Sequence, residues 1–174
     1  MTSWSSLPQL QHSHSELEAH SKEWAFVVLR FYPPDPCENI LDFTLRRSQI
    51  ISGLVTKIEE RFEPISMQQD GQFFTLLFES PLDAFTCSLL LLQEHNPLFC
   101  LAIGHDQGYM FDYFQSTELL LVKSALSYGD HHEIQMSPSL KQLVEIPQGV
   151  GAFQCSPALA KASGMNYWVL KDYR

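Results

Sequence analysis

Basic residues are scarce in this chain: 11 Lys and Arg stand against 20 Asp and Glu, for a net charge of -9 over 174 residues. Binding to a phosphate backbone runs on clustered cations, so non-specific nucleic-acid binding is excluded and no nucleic-acid partner is expected. Cysteine is sparse too. Cys37, Cys87, Cys100 and Cys155 are far apart, with no C-x-x-C pair. That argues against a disulfide framework and for a reducing compartment, with Cys87 and Cys100 packing as small hydrophobes inside apolar runs. Long apolar runs are absent. The longest, residues 87–92, falls far short of the roughly 20 residues that span a bilayer. The N-terminus lacks the basic and apolar regions of a signal peptide. The expectation is a cytoplasmic protein with no membrane insertion. Phosphate-binding loops, nucleophile elbows, zinc motifs, internal repeats and low-complexity segments are also missing.

What is present is an ordinary globular balance, 45% hydrophobic and 18% charged, which excludes disorder and suits one domain with a substantial core. Residues 1–22 read as a polar tail or a short helix, anchored only by Trp4, Leu7, Leu10 and Leu17. His12, His14 and His20 in it lack the spacing of ligands on one helix turn and are expected to be solvated. Residues 23–174 form the domain.

Residues 24–32 are β-rich and apolar almost throughout, the pattern of a central strand, and Pro33, Pro34 and Pro36 end it. A helical period follows from Glu38, with Ile40, Leu41, Leu45, Ile50, Ile51, Leu54, Val55, Ile58 and Phe62 on one face. Asp70-Gly71 between extended runs predicts a hairpin leading into a strand over 73–78. Pro81 opens a second helix whose apolar face uses Leu82, Phe85, Leu89 and Leu92. A buried strand over 98–103 comes next, then a turn at 104–108 and a strand to Phe114. A helix over 117–128 is stopped by Gly129, and a short strand over 133–136 follows it. Ser137-Pro138 starts a brief helix, and a loop holding Gly149 and Gly151 precedes a final strand over 167–170. The order β-α-β-β-α-β predicts an α+β fold: a ferredoxin-like βαββαβ core with a C-terminal β-α-β extension.

That order resembles the class III nucleotidyl (adenylate/guanylate) cyclase homology domain over roughly residues 24–170. The best match runs from Gly71 through Phe78, with Pro81 and Asp83-Ala84: it is similar to the family's Gly-Asp turn, its strand ending in Phe, and its Pro-led helix. Ile103-Gly104-His105-Asp106-Gln107-Gly108 resembles the family's Ile-Gly-x-His-x-Gly. Asp112-Tyr113-Phe114 resembles the approach to the catalytic helix, and residues 127–137 resemble the segment after it. The hairpin turn also resembles the Gly-Gly-Asp-Glu-Phe motif of diguanylate cyclases, but the extension after Tyr113 favours class III.

The resemblance implies two metal-binding carboxylates, a base-selecting Lys and a catalytic Asn-Arg pair, in composite sites between subunits. This chain departs at each. Gln72 stands at the second carboxylate, and either Tyr32 or Asn39 at the first. Gln68 replaces the Lys, Leu119 the Asn and Lys123 the Arg. Lys keeps the charge but not the planar fork. Loss of one such group commonly costs roughly 10²-fold or more in rate. The resemblance therefore implies a degenerate, non-catalytic member with no metal or other cofactor, acting as a regulatory or dimerisation module in signalling. Its partner would be a second copy, a cyclase-type protein or another signalling protein. The alternatives are a divergent cyclase using Asp35, Asp70 or Asp106 as ligands, or a metal-independent nucleotide sensor. The sensor's pocket would use Gln68, Gly71, Gln72, Lys123 and Arg30.

Two further constellations stand apart. His131-His132-Glu133 offers metal-ligating types, but on a strand adjacent residues face opposite ways, which predicts a solvated turn instead. His105-Asp106 at a tight turn is a candidate acid-base pair.

Overall fold

The structure is a computed structural model and describes residues 21–94, 96–109 and 116–174. Its centre is β1 (Ser21–Phe31), which pairs antiparallel on both sides. One neighbour is β3 (Phe73–Phe78), in register from Ala25 opposite Phe78 to Arg30 opposite Phe73. The other is β4 (Phe99–Tyr109), which matches β1 along its full length, from Ser21 opposite Tyr109 to Phe31 opposite Phe99. With β2 (Ser66–Asp70) on the outside of β3, these strands form the ferredoxin-like half. β5 (Ile134–Met136) then joins β4 in parallel, and β7 (Trp168–Asp172) and β6 (Val150–Gln154) complete a seven-stranded sheet of order β2-β3-β1-β4-β5-β7-β6.

Both faces of β1 are apolar because both are covered. Ala25, Val27, Leu29 and Phe31 face one core with Phe74, Leu76 and Phe78. That side is closed by α1 (Ile40–Glu59) through Leu54 and Ile58, and by α2 (Pro81–Gln93) through Phe85 and Leu91. Trp24, Phe26 and Val28 face the other core, closed by α3 (Thr117–Ala125) through Leu119 and Val122. Next to α3, α5 (Pro157–Ser163) contributes the partly buried Leu159 and Ala160.

A Ser side chain opens several helices. Ser80, Ser137 and Ser156 cap α2, α4 (Pro138–Lys141) and α5, each with Pro in the first turn. Each hydroxyl accepts a backbone N–H that the helix leaves unpaired, worth about 1 kcal/mol.

The structure departs from the sequence expectations at several points. β1 begins at Ser21 rather than Trp24, and the expected turn at 104–108 does not form: β4 runs straight through it. The long β1 supplies a partner for every residue of β4, and the ladder overrides the two glycines. Gly104 serves close packing instead, since a Cβ there would lie 2.6 Å from Phe26 Cε2 and 2.9 Å from Val122 Cγ2. Gly129 is extended (φ -83°) rather than left-handed, after a 3-10 turn over Leu126–Tyr128. The expected loop before the last strand contains β6 and α5. On α1 the predicted apolar face is buried only in its second half, and Ile40, Leu41 and Leu45 are 71%, 77% and 60% exposed. Leu82 on α2 is exposed as well. His12, His14, His20 and the segment Asp112-Tyr113-Phe114 lie outside the described residues.

Candidate functional site

The hairpin turn sits against the end of β1. Gly71 takes a left-handed conformation (φ 57°), which the tight connection between Asp70 and Phe73 requires and a side chain would strain. The Phe31 N–H donates to the Gln72 carbonyl at 2.8 Å, and Arg47 of α1 donates to the Gly71 carbonyl at 3.3 Å. Tyr32, next in the chain after β1, and Gln72 are thereby brought together. Asn39 is not at the strand end. It lies across the proline loop, and its Oδ1 caps α1 by accepting the Leu41 N–H at 2.8 Å.

Strand alternation decides which groups share the cleft. Met67 packs on the α1/α2 side, so Gln68 and Asp70 of β2 face the α3 side, opposite Thr75 and Phe73. From α3, Lys123 reaches over this face. Its Nζ lies 3.8 Å from Asp70 Oδ2 and 5.1 Å from the centre of the Phe73 ring, an ion pair joined to a cation–π contact. Leu119, one turn earlier, is 2% exposed and belongs to the core beneath. Gln68 and Gln72 are exposed at the rim.

The floor of the cleft is also occupied by the chain. The Tyr32 hydroxyl donates to the Gly129 carbonyl at 3.3 Å, and burial pushes its phenol well above the ordinary tyrosine range. Below it, the Cys100 thiol is directed at the Leu126 and Arg30 carbonyls at 3.5 and 3.7 Å. Burial pushes this thiol up to about 11, so it is protonated at neutral pH and is no nucleophile. Arg30 donates to the Leu126 carbonyl at 3.3 Å. Among the described residues, Arg30, Arg47 and Lys123 near the cleft each have an internal acceptor, while the buried Nε groups of Arg30 and Arg47 have none.

The alternative carboxylates are dispersed. Asp35 accepts the Cys37 N–H at 3.0 Å and borders an open depression of about 710 Å³ with Tyr32, Glu38, Phe43 and Arg46. Asp106 accepts from the Gln107 N–H at 2.7 Å and from the Ser116 hydroxyl. Because β4 continues as a strand, His105 and Asp106 face opposite sides of the sheet and form no acid-base pair. His105 is buried, with Nε2 at 3.9 Å from the exposed Glu23 carboxylate.

His131 and His132 lie in the expected turn, but their side chains converge rather than face opposite ways. β5 starts only at Ile134, so both lie in a turn, with ring centres 3.8 Å apart. Asp130, which the sequence reading passed over, joins them: its Oδ1 is 3.2 Å from His131 Nδ1. The available signal was Asp directly after Gly129, since Asp accepts its own backbone two residues on and folds the chain into an Asx turn.

No family model matches the chain, and no curated protein matches it in sequence. Solved structures do match in shape. The catalytic core of a rhodopsin-guanylyl cyclase with converted specificity, in complex with ATPαS, superposes with a TM-score of 0.64 at 9% identity, covering 88% of this chain and 99% of that one. An adenylate/guanylate cyclase/hydrolase from Silicibacter pomeroyi superposes with a TM-score of 0.56 at 13% identity, covering 88% and 98%. The ferredoxin-like half, the parallel β4–β5 step and the β7-β6 extension together make this the fold of a class III nucleotidyl cyclase domain.

Proposed function

We propose that this chain is a non-catalytic cyclase-homology domain that works by association, with a second copy or with a cyclase-type partner, as a regulatory module. The observation that carries the reading is the occupancy of the cleft by the chain's own groups. Lys123 is engaged by Asp70 and Phe73, Tyr32 by Gly129, and Leu119 is buried in the core. Gln72 and Tyr32 offer at most neutral oxygens where hard divalent cations need carboxylates. Divalent cations carrying a triphosphate would meet no carboxylate at either of these two positions, and the nearby Asp70 is paired with Lys123.

Association has its own support. Ile40, Leu41 and Leu45 leave apolar surface in solvent on the first half of α1, the kind of surface that a protein partner covers. Among the described residues, no helix is long and apolar enough to cross a membrane, so this stretch is not a span.

Thermal unfolding with Mn²⁺ and ATP or GTP tests the reading. The expected result is no rise in the unfolding midpoint from nucleotide, with or without metal, because only a ligand that binds the folded state raises it. A metal-dependent rise would contradict the proposal and favour a divergent cyclase using Asp35, Asp70 or Asp106. A rise without metal would favour a nucleotide sensor built on Arg30 and Lys123.

A further inference from the structure

We infer that the turn between α3 and β5 is a binding site for a divalent transition metal, with Asp130, His131 and His132 as its protein ligands. The turn makes neighbouring side chains converge. Asp130 Oδ1 accepts the His132 N–H at 3.0 Å, and the Glu133 N–H donates to the Asp130 carbonyl at 3.3 Å. The chain bends between them, and the two imidazoles come to lie on one side with ring centres 3.8 Å apart and planes tilted by 45°. One ligand atom from each of the three side chains lies within 4.8 Å of the others. Tetrahedral bonds of about 2.1 Å place ligand atoms roughly 3.4 Å apart. The Asp130–His131 pair already meets that spacing at 3.2 Å, and the third ligand atom lies within 4.8 Å of both.

The donor set selects the metal class. Two imidazole nitrogens and one carboxylate suit Zn²⁺, Ni²⁺ or Cu²⁺, whereas Mg²⁺ and Ca²⁺ favour all-oxygen sites. Three protein ligands leave at least one coordination position open to solvent or to a partner's side chain. His132 also borders a cavity of about 100 Å³ with Gln93, Asp172 and Arg174. Glu133 is directed elsewhere, to Lys171 at 3.7 Å, and is not counted among the ligands.

Both ends of the turn are held. Gly129 packs against the buried Gln135, and its carbonyl receives the Tyr32 hydroxyl; Ile134 is fully buried in the sheet. A metal on this turn would clamp the segment whose carbonyl holds Tyr32 at the floor of the cleft. It is a different place from the end of β1, and the inference stands whether or not the cleft binds a nucleotide.

The test is calorimetric titration of the full chain with Zn²⁺ alone, with Co²⁺ absorption as a second readout. His12, His14 and His20 offer competing imidazoles, so a parent carrying His12→Gln, His14→Gln and His20→Gln is measured beside the native chain. One equivalent of Zn²⁺ should bind to both. His131→Gln or His132→Gln in that parent should weaken binding by at least the roughly 10–100-fold that changes behind metal ligands cost. The Co²⁺ ligand-field bands should vanish with them. Asp130→Asn, which keeps an oxygen for the turn, should weaken binding while the metal-free unfolding midpoint stays unchanged. Zn²⁺ binding that survives both His substitutions, binding lost only with the N-terminal histidines, or no binding to the native chain would each overturn the inference. Unfolding midpoints of the metal-free variants separate loss of a ligand from loss of the fold.

Discussion

The framework and the cleft of this domain follow different rules. In the framework, β1 and its neighbours meet through continuous apolar registers, and Phe26, Leu29, Leu76 and Phe78 are almost wholly buried. In the cleft at the end of β1, polar groups pair locally, Lys123 with Asp70, Tyr32 with Gly129 and Arg30 with Leu126, although the buried Arg30 Nε is left without a partner. An apolar framework constrains volume and register, so a fold is kept even at 9–13% identity to its structural neighbours. A cleft constrained only by local pairing is free to lose a chemistry and remain well folded.

Substitutions should separate the two regions. Phe78→Ala in the framework removes a 1% exposed ring that meets Phe62 edge-on, and should cost about 3–5 kcal/mol in denaturant unfolding. A cost under about 1 kcal/mol would break the distinction. Gly104→Ala pushes a methyl into Phe26 and Val122, both buried, and should cost about 1–3 kcal/mol.

Alkaline pH probes the boundary between the regions, because Cys87 lies in the framework and Cys100 beneath the cleft. Burial pushes their thiols up to about 12 and about 11. Their folded-state values lie above the unfolded ones, so the stability they contribute is intact below pH 9 and is lost as pH rises through 11. The unfolding free energy from denaturant titration should be level from pH 7 to about 8.5, then fall by on the order of 2 kcal/mol for each thiol by pH 11. A level profile would show these thiols to be solvated.

Cleft substitutions should matter least. Tyr32→Phe removes one hydrogen bond and should cost about 1 kcal/mol. Lys123→Met breaks a pair whose Asp70 side chain is 77% exposed, and should cost less than about 1 kcal/mol. A larger loss at Lys123 than at Gly104 would reverse the comparison.

The framework was largely readable from the sequence. Hydrophobic period marked helices from Glu38 to Phe62 and from Pro81 to near residue 95, seen over 40–59 and 81–93, and Asp70-Gly71 placed the hairpin. Errors arose where long-range pairing overrides local signals. Gly104 and Gly108 read as a turn, yet β1 holds both in a strand; Leu41 and Leu45 continue the apolar period of α1, yet both are left exposed. The helix after Ser156-Pro157 was different: it carries the same Ser-Pro cap as Ser80-Pro81, and that signal was available. In the cleft, sequence registers brought Gln72, Lys123 and Leu119 to attention. They could not choose between Tyr32 and Asn39, because the loop at 32–39 has no period. Nor could they foresee that Asp70 and Phe73 engage Lys123, or that Asp130 gathers two histidines, since both depend on how loops close.

The central claim is that the cleft no longer performs cyclisation. Its most direct test is turnover of ATP and of GTP to cyclic nucleotide by the purified chain with Mn²⁺, alone and at concentrations high enough to favour self-association. The account predicts product indistinguishable from a protein-free control at every concentration. Robust turnover by the native chain, abolished by Asp70→Asn or Asp35→Asn, would contradict it.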